Sequence, residues 1–494
     1  MPLSSPLHLI ATDGDIGHQA LAIDSIATAT RGSSRIVERL SILRLGREKL
    51  RSLPRADAWL VDVYRDPMVE PRTLRIGLVG TRFAGTDGVS LEAEKWADVL
   101  REMGHDVYYF GGQVERPAEK SRVVAEAFFG HPDIVAINRA VFEPDTPSGR
   151  PAAISRSIAG ITAHLKEQLF AFVRDYDLDM LLPENALAIP MHLPLGLAIT
   201  RLAAETGMPM LAHHHDMPWE RQRFLVNNAT DIIDAAFPPS LPNVRHACIN
   251  TTQREQIARR LGRNARVIPN VMDFETAPRA ADDVTAGLRA DLGLPEDHLF
   301  VLQPVRVIPR KGIEHAVELL ARLDRPASLV ISHATGDEGP QYAERIREFA
   351  RLLDVAVIWA ADRVSTERGE LSDGRRTYTL ADMYGAADLV TYPSLIEGFG
   401  NAYLEAVYHR RPIVVNRYPV YDVDIRPLGF RSVEMNGFVT ESTLAETRAL
   451  LDDPARIEAW TDLNYDLGLR HFSHQTVRRG LRAELAEMFP THGS

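Results

Sequence analysis

Tyr392-Pro-Ser-Leu-Ile-Glu397-Gly-Phe-Gly400-Asn-Ala-Tyr-Leu-Glu405-Ala follows the strand-like run Ala387–Tyr392 and precedes a second such run, Pro412–Asn416. A strand that ends in Pro-Ser, then a glutamate, a Gly-Phe-Gly turn and an apolar-periodic helix, is the pattern of a parallel α/β sheet. That order puts glycine amides and a helix N-terminus where the strand leaves the sheet, a good seat for a phosphate group. Glu397 and Glu405 are eight residues apart, roughly 12 Å along a helix at about 1.5 Å per residue. Two glutamates so spaced also occur by chance in many helices. Set between this turn and the following strand, they suit the two ends of a nucleotide-sugar, with the sugar at Glu397, the ribose at Glu405 and the diphosphate between.

The segment resembles the Glu-x7-Glu signature of retaining glycosyltransferases of the GT-B fold, in particular glycosyltransferase family 4. Two upstream stretches extend the resemblance, Gln303-Pro-Val-Arg306-Val-Ile-Pro-Arg-Lys311-Gly312 and Val267-Ile-Pro-Asn270-Val-Met-Asp273. In the family the first carries an arginine and a lysine that bind the donor diphosphate, which implies that role for Arg306 and Lys311. The second resembles the hinge that opens the donor domain. The chemistry agrees, because fixed cations stabilise the charge growing on a departing nucleoside diphosphate without reorganising at the moment of reaction. Arginine grips two phosphate oxygens and lysine adds a point charge. Arg310 reads as a surface residue. Gly398, Phe399, Gly400 and Asn401 would line the donor with backbone amides, and the base is expected near Ala360–Arg363. With two cations and a helix terminus, no metal or other cofactor is demanded. Asp422-Val-Asp424 reads as an incidental loop pair.

Elsewhere the chain alternates strand-like runs with amphipathic helices. The first half runs from Leu74–Gly80 through a helix at Leu91–Met103 and strands at Val107–Phe110 and Ile134–Ile137. A helix near Ala163–Tyr176, a strand at Met180–Leu182, a helix at Leu195–Thr206 and a strand at Pro209–Ala212 follow. The second half restarts at Leu299–Gln303. The expected fold is therefore α/β, two Rossmann-like doubly wound domains facing across a cleft, as the GT-B resemblance also implies. The expected divisions are an extension over residues 1–70, an acceptor domain over 71–270 and a donor domain over 271–465. A helix within 466–494 would then cross back to the first domain.

On the acceptor side, Thr81-Arg-Phe-Ala-Gly85-Thr-Asp-Gly88 leaves a strand and opens a helix, and its glycines allow close approach of backbone to ligand. Their spacing does not fit Gly-x-Gly-x-x-Gly, which argues against a dinucleotide. In the resembled family this loop meets the donor phosphates and the acceptor when the cleft closes, which implies a donor-binding role for Gly88. The cluster Ala212-His-His-His-Asp216-Met-Pro-Trp219-Glu-Arg-Gln-Arg223 lies at the carboxyl end of a strand, the ligand-facing edge of such sheets. Consecutive strand residues point to opposite faces, so three adjacent histidines rarely share one ion. The family carries a sugar-contacting histidine in this loop, which implies a catalytic His215, with His213 the other register. Glu184, Asn185, His213 and Asp216 are candidate acceptor ligands. Together with Asn416-Arg-Tyr and Asp424-Ile-Arg-Pro, these stretches resemble a narrower group within family 4. That group moves mannose from GDP-mannose to a small glucosylglycerate acceptor, though Met217-Pro218 stands where it carries an aromatic pair.

Composition fits a chain that meets small molecules. Its formal net charge of −11 argues against nucleic acid as a partner. A single cysteine, Cys248, excludes an internal disulfide framework and suits the cytoplasm. No apolar run approaches a membrane span. The basic amphipathic stretch Ser34–Arg44 leaves peripheral membrane contact as an alternative, and with it a lipid or polysaccharide-precursor acceptor. A sugar-nucleotide epimerase or hydrolase, or a silent nucleotide-sugar-binding partner, also fits these residues. Donor base, acceptor identity and oligomeric state are not fixed by them.

Overall fold

The computed structural model describes residues 72–85, 88–143, 149–280, 282–335 and 340–490. The extension over residues 1–70, with its basic stretch, lies outside the described residues. Residues 73–494 form one compact unit, and its two large sheets are parallel throughout.

The first sheet contains β1 (Arg75–Val79), β2 (Asp106–Gly111), β3 (Ser121–Val123), β4 (Met180–Pro183), β5 (Met210–His214), β6 (Val244–Cys248) and β7 (Ala265–Val267). Their order across the sheet is β3-β2-β1-β4-β5-β6-β7. The second contains β8 (Leu299–Gln303), β9 (Ala327–Ile331), β10 (Ala356–Trp359), β11 (Leu389–Tyr392), β12 (Ile413–Asn416) and β13 (Val433–Met435), ordered β10-β9-β8-β11-β12-β13. Each sheet thus reverses direction once, between β1 and β4 and between β8 and β11. In open α/β sheets the crevice outside the carboxyl ends at such a reversal is where ligands bind. Strands buried on both faces explain why these runs are continuously apolar rather than alternating. Ile76, Leu78, Met180, Leu302, Val330 and Val390 are all inaccessible or nearly so.

One sequence expectation is overturned. Ile134–Ile137 is not a strand but part of the helix Pro132–Phe142. Its apolar residues Ile134, Ile137 and Val141 are the buried ones, a helical spacing that four residues were too few to display. Pro132 opens the helix, where a missing N–H costs nothing. The strands β3, β6, β7 and β13, which had no counterpart in the sequence reading, complete the sheets.

The last helix, His474–Met488, places Val477 and Leu481 against Trp96, Leu100 and Val107 in the core of the first sheet. Its buried Glu484 accepts from Arg245 on β6 and Arg266 on β7, and Glu487 reaches the same two arginines. Glu484→Ala should lower unfolding stability by about 1–3 kcal/mol, because one carboxylate serves two cations that stay partly hydrated. Urea denaturation would measure this, and an unchanged midpoint would remove the clamp from the account.

Candidate functional site

The reversal in the second sheet brings two loops together. The one after β8 carries Arg306, Arg310 and Lys311, and the one after β11 carries residues 393–400. Gly312 joins them closely: at φ +58° it lies where a Cβ would be 2.7 Å from the Pro393 carbonyl. Lys311, only 7% exposed, ion-pairs with Glu397. Arg310 donates from Nη1 to Glu397 Oε2 at 3.2 Å and to the Ile396 carbonyl at 3.0 Å. Burial opposes charge on Glu397, but Lys311 and then Arg310 outweigh it and hold the carboxyl below its usual range. Burial draws the Lys311 ammonium down, only partly offset by Glu397. Arg306 faces the same space and is exposed. The reading of Arg310 as a surface residue is therefore corrected, since it shares Glu397 with the lysine.

Gly400 is required by geometry. Its φ of +131° suits glycine alone, and a Cβ there would sit 2.1 Å from the Tyr418 hydroxyl, which donates to the Phe399 carbonyl at 2.9 Å. The helix Asn401–Tyr408 that follows has no side-chain cap, so its first amides are open to the site. Because the helix begins only at Asn401, Glu397 lies in the turn before it, and its separation from Glu405 is not a helical rise. Glu405 does face the same cavity, accepting from the Tyr384 hydroxyl at 2.8 Å, with its pKa raised by burial.

The opposite wall comes from the first sheet. Asn250 Nδ2 donates to the Gly398 carbonyl at 2.9 Å, Asn270 Nδ2 to Asn401 Oδ1 at 2.7 Å, and the Thr251 amide to both carboxylate oxygens of Asp424 at 3.1 and 3.2 Å. Asp424 thus ties one half to the other, and Asp422 takes Arg417 through both oxygens, so neither is an idle loop residue. Gly88, His215 and Asp216 line the cavity from this side.

Glu184, Asn185 and His213, expected as acceptor ligands, do not line it and sit behind His215. His213 is fully buried with its ring stacked on Trp96, centroids 3.8 Å apart. Its Nδ1 lies 2.9 Å from Glu184 Oε2, and His215 Nε2 lies 3.4 Å from the same oxygen. Burial works against the Glu184 charge, yet His213 and His215 hold its carboxyl below the ordinary range. Asn185 Oδ1 accepts from the His215 amide at 3.0 Å. The group is therefore a bracket that aims His215. Its ligand atoms lie within 4.8 Å of one another, so by composition and spacing it would also suit a divalent ion. Glu184→Gln should lower kcat by about tenfold and stability by about 1–3 kcal/mol, since the one oxygen that both histidines share loses its charge and their hydrogen bonds weaken from charge-assisted to neutral. Steady-state kinetics beside thermal melts would check both, and an unaltered kcat would mean the aim of His215 is irrelevant.

The cavity between the walls has a volume of about 620 Å³. It gathers Gly88, His215, Asp216, Arg306, Lys311, Glu397, Gly398, Phe399, Gly400, Asn401 and Glu405. Ala360–Arg363 does not line it, and Arg363 is instead buried on the Arg376 and Asp291 carbonyls. Sequence reasoning missed Arg221, Arg310 and His333. His333 follows the carboxyl end of β9, and the sheet-edge rule applied to that strand would have found it. Burial, then Lys311 and Arg306, push its imidazole down to about 4.

Comparison with known proteins bears on the family and the fold. No family model matches the chain. It is 30% identical over 446 residues to the mannosylglucosylglycerate synthase of Thermotoga maritima, covering 83% of this chain and 100% of the relative. It is 30% identical over 398 residues to the enzyme of the same name from Petrotoga mobilis, covering 73% and 86%. Among solved structures, a sucrose-phosphate synthase from Thermosynechococcus elongatus superposes with a TM-score of 0.58 at 16% identity over 84% of this chain and 99% of that one. The glycosyltransferase WaaG does so with a TM-score of 0.53 at 13% identity over 84% and 100%. The two-sheet architecture is thus that of GT-B glycosyltransferases.

Proposed function

The chain belongs to the mannosylglucosylglycerate synthase family of GT-B glycosyltransferases, and on that premise we propose that it moves a hexosyl unit, with mannose from GDP-mannose favoured, to a glucosylglycerate-type acceptor. The observation that carries this reading is the pairing of Lys311 and Arg310 with Glu397, in a cavity that Arg306 also lines, beside an uncapped helix N-terminus. A diphosphate entering there meets three cations and open amides at once, and its charge competes with Glu397 for Lys311. Glu397 is then free to accept hydroxyls of the donor sugar, while Glu405 accepts from the ribose. His215 meets the sugar from the opposite wall.

The transfer proceeds with retention, as in glycosyltransferase family 4. The bond from the anomeric carbon to the phosphate oxygen breaks as the acceptor oxygen bonds to that carbon on the same face. The acceptor proton passes to the departing phosphate. No enzymic nucleophile is needed, and the cations neutralise the leaving group without a demand for a divalent ion. Drawing the two walls together would exclude water and suppress donor hydrolysis.

Incubation of the full chain with GDP-mannose and glucosylglycerate, followed by NMR of the product, tests the reading. Parallel runs with UDP- and ADP-sugars, and with EDTA, fix the donor and the metal question. The expected product is a mannosylated acceptor with the donor's anomeric configuration. Free mannose formed equally fast without acceptor would replace transfer by hydrolysis, and intact donor with every acceptor would leave only a binding protein.

A further inference from the structure

We infer that Arg221 forms a carboxylate-binding subsite that selects acidic acceptors, an inference that rests on the acceptor class proposed above. Among the described residues that line the cavity, the second-sheet wall supplies Arg306, Arg310 and Lys311, whereas the first-sheet wall supplies one arginine or lysine, Arg221. The two sets have different work. Arg310 and Lys311 hold Glu397, and Arg306 lines the same cavity near the open helix terminus, where a diphosphate fits. Arg221 stands across the cavity beside His215, on the side from which an acceptor meets the donor sugar.

Its setting suits an anion with two oxygens in a plane. One terminal nitrogen donates to Asp216, itself a lining residue, and this ion pair fixes the direction of the guanidinium. The side chain remains about one-third exposed (32%). A guanidinium has five N–H donors, and a carboxylate takes two of them in a parallel pair. Asp216 occupies one edge, which leaves a second edge for the ligand. Asp216 also gives the subsite a penalty against misplaced anions, because a carboxylate that fails to engage Arg221 meets a like charge. A neutral acceptor gains nothing from this arrangement. The relatives' shared name contains a glycerate, a small acid, and the subsite explains how such an acid would be told from an uncharged polyol glycoside.

The test compares glucosylglycerate with glucosylglycerol, which carries a hydroxymethyl group in place of the carboxylate, in the wild-type chain, Arg221→Gln and Arg221→Lys. Wild type should favour the acid in kcat/KM by about 10- to 100-fold, the range of a hydrogen bond to a charged group. Arg221→Gln should raise the KM for glucosylglycerate by a similar factor and erase the preference. The KM for GDP-mannose and the rate with glucosylglycerol should stay as they were. Arg221→Lys, which keeps the charge and loses the planar fork, should retain part of the preference, and a GDP-induced thermal shift in each variant confirms its fold. If wild type uses both acceptors equally, the subsite falls while glycosyl transfer stands. A preference that survives in Arg221→Gln assigns the carboxylate elsewhere and overturns the inference. Transfer to neither acceptor sinks the acceptor class itself and this inference with it.

Discussion

Lys311→Ala is expected to lower kcat by about 10²- to 10³-fold, the scale of removing one preorganised group that stabilises transition-state charge, while the KM for the donor changes little. The asymmetry follows from where the lysine sits. Its ammonium is buried and held by Glu397 before any donor arrives, so it contributes most when charge moves onto the leaving phosphate. Ground-state affinity has other sources, namely Arg306 in the open, Arg310 on the rim and the amides at Asn401. Among the described residues, the variant also leaves Glu397 with Arg310 as its remaining ionic partner. Burial then raises the carboxyl more freely, and Glu397 becomes easier to protonate. A pH profile of kcat should therefore show its acidic limb displaced upward in Lys311→Ala. Glu405→Ala offers the contrast, since it removes an acceptor for ribose hydroxyls and should raise donor KM with little effect on kcat. Rapid-quench turnover and donor titration separate the two variants. Wild-type kcat in Lys311→Ala would remove the lysine from the chemistry.

How much of this site could be read from the sequence depends on how local each constellation is. Glu397, Gly398, Gly400 and Asn401 belong to one turn, and Lys311 lies on a loop whose strand neighbours theirs. Strand, turn and helix signals therefore placed them correctly on one edge. The bracket behind His215 is different. Glu184 and His213 are 29 residues apart and meet because β4 and β5 run side by side in one register. Sequence placed both at the ligand-facing edge, which was right, but depth at that edge is set by the helix carrying Trp96. Its indole stacks on His213 and keeps it off the cavity wall. Arg310 shows the reverse error, because Pro309-Arg310-Lys311 looks like a solvated turn until Glu397 folds over it. Ile134–Ile137 was mistaken for a strand since four apolar-rich residues carry no period. Placement along the chain was legible, whereas burial across it was not.

Acidification should destabilise the fold steeply between about pH 6.5 and pH 4, and the histidines give the sign. Burial first of all pushes His192, His246, His333 and His409 each down to about 4. His213 and His214 are lowered by the same cause. In the unfolded chain these imidazoles titrate near 6.5. Below that pH the unfolded state binds protons that the folded state refuses, so stability is complete above 6.5 and is lost as pH falls towards the folded values. Each such histidine contributes a slope of about 1.4 kcal/mol per pH unit within its window, and several acting together exceed the stability of a marginal fold. Groups shifted the other way soften the slope. Burial raises the carboxyls of Glu220, Glu405 and Asp424, so the folded state takes up their protons before the unfolded state does and gains stability as pH falls through those folded values. His105 and His471 are lowered by burial as well, so among the described residues eight lowered imidazoles against three raised carboxyls leave the histidines in control. A nucleotide should move the balance at one position, because His333 faces the cavity and a diphosphate beside it would neutralise the field of Lys311 and Arg306 that helps to depress it. Donor binding near pH 5.5 should accordingly take up protons, measurable as a buffer-dependent heat in calorimetry. Urea midpoints should fall progressively from pH 7 to pH 4.5, and a flat profile over that range would mean that these imidazoles are hydrated in the folded chain.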